Sequence, residues 1–109
     1  MIRAAPVDTV MRTLADPTRR AVFERIVKER EITVAELTRG SGVTQSAISQ
    51  HLRSLKQAGL IVDRPEGRHV HYRAELMGLA PLVDWLALYG AFWRGRFANL
   101  RTLLKEIDR

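Results

Sequence analysis

The stretch from Thr33 to Arg73 constrains the fold most, because glycine interrupts its hydrophobic period twice and the period then changes. Thr33 and Glu36 stand at the spacing of a capping box, where a hydroxyl and a carboxyl satisfy the unpaired N–H groups that open a helix. That helix is expected to turn Val34, Ala35 and Leu37 inward and to stop at Gly40-Ser41-Gly42. Thr44 caps the next helix, whose inner positions Ile48, Leu52 and Leu55 repeat at helical spacing before Gly59 closes it. Beyond Gly59 the pattern alternates. Leu60-Ile61-Val62 reads as a strand, Pro65-Glu66-Gly67 as a turn, and His69 to Arg73 as the returning strand. Two short helices joined by a glycine-containing turn, followed at once by a β-hairpin, make a winged helix-turn-helix.

The flanks are helical. Val7, Val10, Met11 and Leu14 form an amphipathic pattern behind Asp8, which reads as an N-cap. Asp16 and Pro17 restart the pattern as cap and first helical residue, with Val22, Phe23, Ile26 and Val27 facing inward and the charged run Lys28-Glu29-Arg30-Glu31 at the end. Ile32 adds a strand of one or two residues. Downstream, one long helix is expected from about Pro81 to Ile107. Its apolar stripe is Leu79, Leu82, Val83, Leu86, Trp93, Phe97, Leu100, Leu104 and Ile107, with Gly90 as a point of close helix approach. The expected fold class is mainly α with a β-hairpin wing and about five helices. A single domain spans 1–109, with the helix-turn-helix at 33–59, the wing at 60–73 and the C-terminal helix at 79–107.

A chain of 109 residues buries a limited share of its surface, so association is a natural source of stability. The net charge is +6, and fifteen of the eighteen cationic side chains are arginine, whose fork fits phosphate and guanine edges. Both features favour a polyanionic partner. The absence of cysteine removes disulfides, thiolate metal sites and thiol-based redox sensing. The opening MIRAAPVDTV lacks the continuous apolar run of a signal peptide. The tract from Leu79 to Trp93, broken by Asp84, falls short of the ~20 residues a membrane span needs. A cytoplasmic protein with no membrane partner is expected.

With Ile48, Leu52 and Leu55 inward, Ser46, Gln50, Arg53 and Gln57 face outward, flanked by Gln45 and Ser49. This face carries no acid, and Gln and Arg are the side chains that pair bidentately with adenine and guanine edges. Gln45, Ser46, Ser49 and Gln50, near the start of the helix beside its cap Thr44, are candidates for reading bases, and Arg53 for a phosphate. In the wing, Arg64 and Arg68 flank the turn while His69, His71 and Arg73 share a strand face, a cluster suited to a phosphate backbone or a minor groove. The alternatives are a solvated polar helix and a charged hairpin edge that resists strand pairing.

Three segments carry a family resemblance: Leu14-Ala15-Asp16-Pro17-Thr18-Arg19-Arg20, the run from Val43 to Arg53, and Ala58-Gly59-Leu60-Ile61. Together with the element order, they resemble the ArsR/SmtB family of bacterial repressors over nearly the whole chain. The resemblance implies a homodimer built from the first and last helices, bound to double-stranded operator DNA. Interface candidates are Val10, Met11, Leu14, Leu86, Trp93, Phe97, Leu100 and Leu104. Family members that sense soft metals use a cysteine pair in the third helix, whereas Val34-Ala35-Glu36-Leu37-Thr38 has none. Those that sense zinc in the last helix pair carboxylates with histidines, whereas Asp84, Glu106 and Asp108 have no histidine beside them. Phe92 to Phe97 with Leu100 resembles a branch that senses no metal, and no effector is identified.

Other chemistry is weaker. His69 and His71 alone make two metal ligands without a third, and His51 reads as a partly buried structural residue. Trp85, Tyr89, Phe92, Trp93 and Phe97 suit packing better than a ligand pocket. No nucleophile–base pair, phosphate-binding glycine loop or acid/base carboxylate pair is present, so neither catalysis nor a cofactor is expected. A metal- or small-ligand-responsive repressor of the same fold is the main alternative, and a winged-helix protein-interaction module the lesser one.

Overall fold

The computed structural model describes residues 6–96 together with Lys105. Helix α1 (Val7–Ala15) follows Pro6 and has no side-chain cap. Asp8, expected as the cap, lies inside the first turn, where its charge faces the positive end of the helix dipole. Helix α2 (Pro17–Glu29) begins as expected: Asp16 accepts from the Arg19 N–H at 3.1 Å, and Pro17 takes a position whose missing N–H leaves nothing unsatisfied.

Strand β1 is only Ile32–Thr33. Thr33 then caps α3 (Val34–Thr38), accepting from the Glu36 N–H at 3.3 Å and donating its hydroxyl to the Glu36 carboxylate at 3.0 Å. In the turn, Gly40 and Gly42 have φ of 71° and 74°, a region L side chains rarely adopt. Between them the Ser41 hydroxyl donates to the Thr38 carbonyl and accepts from the Val43 N–H. Thr44 accepts from the Ala47 N–H at 3.1 Å and opens α4 (Gln45–Gln57).

Strands β2 (Ile61–Glu66) and β3 (His69–Ala74) form the wing, and β3 is central in a sheet of order β1-β3-β2. Glu66 is opposite His69, so the turn is Gly67-Arg68, not Pro65-Glu66-Gly67. Gly67 has φ of 60°, the positive value that the first turn position of a type II′ hairpin requires. Pro65 fits because β2 is an edge strand and its missing N–H faces away from β3.

The core is where these elements converge. Ile48, Leu52 and Leu55 of α4 meet Val22, Phe23 and Ile26 of α2, with Leu37, Ile32, Leu60 and Ile61 around them. Val27 and Ala35, expected inside, are exposed. Each sits at the margin of its helix stripe, where no neighbouring element covers it.

The C-terminal region departs most from expectation. A 3-10 turn (Leu76–Leu79) leads into α5 (Ala80–Ala87), and helix resumes as α6 (Gly90–Arg96) after a bend of 89°. The single long helix expected over 79–107 is therefore broken. At the break, N–H groups of Leu88 and Tyr89 bond three residues back, to Trp85 and Leu86, and the next residue is Gly90, the poorest helix former after proline. Phe97, Leu100, Leu104 and Ile107 lie outside the described residues.

Candidate nucleic-acid interface

The face of α4 opposite the core is open. Gln45, Ser46, Gln50 and Arg53 are exposed, as is their cap Thr44, and Ser49 is half-buried. Ser49 and Arg53 line a cleft with Lys56, Asp63 and Tyr72 that separates the helix from the wing. Along it Lys56 pairs with Asp63 at 2.9 Å, and the ammonium hydrogen bond holds the Asp63 carboxyl below its ordinary pKa. Helix α4 has no acidic residue, and Arg53 makes no ion pair among the described residues. The helix thus offers a row of hydrogen-bonding groups and one uncommitted cation in a solvent-facing line.

The wing divides its cations. Arg68 occupies the turn and His69 follows it, both exposed and without an ion-pair partner among the described residues. Arg64 is committed: its guanidinium contacts Glu31 at 2.6 Å and Glu66 at 3.1 Å, and these carboxylates raise its pKa further. His71 is half-buried, with Nε2 3.3 Å from the same Glu66 oxygen. The candidates around the turn are therefore brought to one end of the hairpin, but Arg64 and His71 face acids. Glu31 and Glu66 were not singled out from the sequence. Their signal lies in the register, which places Arg64 opposite His71 and Glu66 opposite His69 only once the turn is at Gly67-Arg68.

His51 is half-buried, as expected, with Nδ1 lacking a partner among the described residues. Among the interface candidates, Val10 is a correction. It is fully buried in the core of its own chain, because α1 packs against both α2 and α5 and that side of α1 is covered. Leu14 is half-buried against the same core, whereas Met11, Leu86 and Trp93 are exposed.

This arrangement has relatives. A helix-turn-helix domain family model matches residues 14–64. The HTH-type transcriptional regulator Rv2034 of Mycobacterium tuberculosis is 44% identical over 75 residues, covering 69% of each chain. The arsenical resistance operon repressor of Escherichia coli is 29% identical over 102 residues, covering 92% of this chain and 83% of that one. A crystal structure of an ArsR family transcriptional regulator superposes with a TM-score of 0.70 at 28% identity, covering 81% of this chain and 90% of that one.

The chain belongs to the ArsR family of transcriptional regulators. As an ArsR-family transcriptional regulator it is a DNA-binding protein. The arsenical relative is named for a metalloid, but in this member α3 has no cysteine, and among the described residues no three His, Asp or Glu side chains gather as metal ligands. No single helix among the described residues is long and apolar enough to cross a membrane.

Proposed function

We propose that this chain, one domain over residues 1–109, represses transcription in the cytoplasm by binding a palindromic operator as a homodimer. The observation that carries the reading is the acid-free outward face of α4, set between a glycine turn and a wing whose tip presents Arg68. Gln45, Ser46, Ser49 and Gln50 read base edges in the major groove, Arg53 takes a phosphate, and the tip of the wing lies on the flanking backbone or minor groove. Two-fold symmetry sets the two α4 helices about 34 Å apart, one turn of DNA. The apolar side chains left exposed on α5 and α6, with Met11, are the surface the second copy covers.

Salt titration of binding to the DNA upstream of its own gene tests this. With a charge of +6 per chain and at least six phosphate contacts per dimer, affinity is expected to fall on the order of 1,000-fold between about 50 and 200 mM salt. A flat salt dependence rules out the phosphate backbone as the main contact.

A further inference from the structure

We propose that Glu31 is a positioning residue of the wing. Through Arg64 it holds the hairpin in the orientation that presents Arg68 to DNA, and Arg64 serves this clasp instead of a phosphate. The inference rests on the DNA-binding reading above and adds to it what fixes the wing.

The route of the chain into β1 is the first support. Arg30 has φ 67° and ψ −56°, and the Glu31 N–H bonds back to the Glu29 carbonyl at 2.8 Å. This is a γ-turn of the strained kind, which an L residue keeps only where its surroundings hold it. Arg30 is the one non-glycine residue with positive φ among those described, and it delivers Glu31 to the position just before β1.

The sheet order supplies the second. In β1-β3-β2 the two outer strands are separated by β3, two strand spacings or roughly 10 Å apart. Arg64 on β2 spans that distance: its Nε donates to Glu31 Oε1 at 2.8 Å and its Nη2 lies 2.6 Å from the same oxygen. Its remaining fork nitrogen, Nη1, donates to Glu66 Oε2 at 3.1 Å, and that oxygen also faces His71, the register partner of Arg64. One guanidinium thus ties Glu31, just before β1, to Glu66 at the end of β2, across the face on which His71 of β3 lies.

The charge balance gives the third. All three guanidinium nitrogens of Arg64 are turned to carboxylates, and two acids outnumber the one arginine. A phosphate approaching this point meets the net negative charge of the two carboxylates against one guanidinium. Arg68, two residues beyond Glu66, has no such partner among the described residues and stands at the tip.

The sign of one substitution separates the roles. If Arg64 were a phosphate contact, Glu31→Gln would free it and remove a repelling acid, so binding would tighten. Under the clasp, Glu31→Gln loosens the wing and weakens operator binding about threefold per wing, about tenfold for a dimer, the scale of an exposed ion-pair network. Arg64→Glu weakens it further, and the exchanged pair Glu31→Arg with Arg64→Glu recovers part of the loss, Glu66 then facing a carboxylate in place of the guanidinium. A mere folding defect gives no such recovery. The measurement is fluorescence anisotropy with a duplex from upstream of the gene and a random duplex of equal length, alongside thermal melts. Unchanged or tighter binding by Glu31→Gln, or an exchanged pair as weak as Arg64→Glu alone, overturns the clasp. Wild-type protein that binds neither duplex overturns the DNA reading instead.

Discussion

Gly78 lies so close to Gly59 that a side-chain carbon built on it would overlap the Gly59 carbonyl oxygen. Gly59 is the left-handed residue, φ 76°, that ends the descent of α4. The Glu75 N–H bonds to the Leu60 carbonyl at 2.8 Å, so the segment leading into α5 is seated directly on the end of α4. Helix α4 and the C-terminal helices are thereby joined through backbone as well as through the packing of Leu79 and Leu82 on the core.

Gly78→Ala is therefore expected to destabilise the fold by about 1–3 kcal/mol, the range for forcing an extra carbon into a closed contact. The clash is with backbone, so the turn at Leu76–Leu79 must shift and carry α5 with it. Urea unfolding measures the effect. A midpoint equal to wild type would mean the two segments do not meet this closely in solution.

Acid should unfold the protein partly through Asp16. Its carboxyl accepts from the Arg19 N–H, which lowers its pKa below the usual 3.8, with smaller help from the Thr18 N–H and the charges of Arg19 and His51. Asp63 is lowered by the Lys56 hydrogen bond. A depressed carboxylate contributes stability above its unfolded pKa, and the contribution is lost as pH falls through the folded value. Melting temperature should drop below about pH 4, and the drop should be shallower for Asp16→Asn, which still caps α2 but carries no titrating charge. Parallel melts from about pH 6 to 2 give the comparison, and identical slopes for the two proteins would remove Asp16 from the account.

On α4, reading and anchoring should separate. Gln50→Ala is expected to weaken operator binding by about 1–3 kcal/mol while leaving binding to random DNA nearly unchanged, as loss of a base contact does. Arg53→Ala should weaken both and flatten the salt dependence by about one phosphate equivalent. Equal behaviour of the two variants on both duplexes would mean that the face is turned differently.

What is legible in the sequence is what acts locally. Asp16, Thr33 and Thr44 each bond an N–H three residues on, and Ile48, Leu52 and Leu55 share a face by helical period alone, so caps and core follow from spacing. What is not legible depends on partners distant in the chain. Val10 and Met11 read alike as apolar helix residues, yet one is enclosed by its own fold and the other is not. The hairpin face depends on where the turn falls, and the pairing of Arg64 with Glu31 joins residues that no local pattern connects. The bend after Ala87 is equally hidden, because an apolar stripe continues through it while the hydrogen bonds do not.

The exposed apolar surface gives the last test. Leu86, Leu88, Phe92 and Trp93 lie exposed along α5, the bend and α6, and Met11 is exposed on α1, which packs against α5. Soluble monomers rarely leave apolar patches beyond a few hundred Å² in water, so a second copy of the chain is expected to cover this one. Leu86 is the informative position: it is 40% exposed, so a change there spares the chain's own core. Leu86→Glu places a carboxylate without a counter-ion in the interface, and a two-fold axis places two, each burial costing about 3–5 kcal/mol when uncompensated. Sedimentation should show wild type as a dimer at micromolar concentration and Leu86→Glu as a monomer with an unchanged circular dichroism spectrum. The monomer should lose most operator affinity although α4 and the wing are untouched, because a single half-site holds too few contacts, while Leu86→Ala should remain largely dimeric. A wild-type monomer that still binds its operator tightly would refute the two-fold arrangement, and with it the requirement for a palindrome.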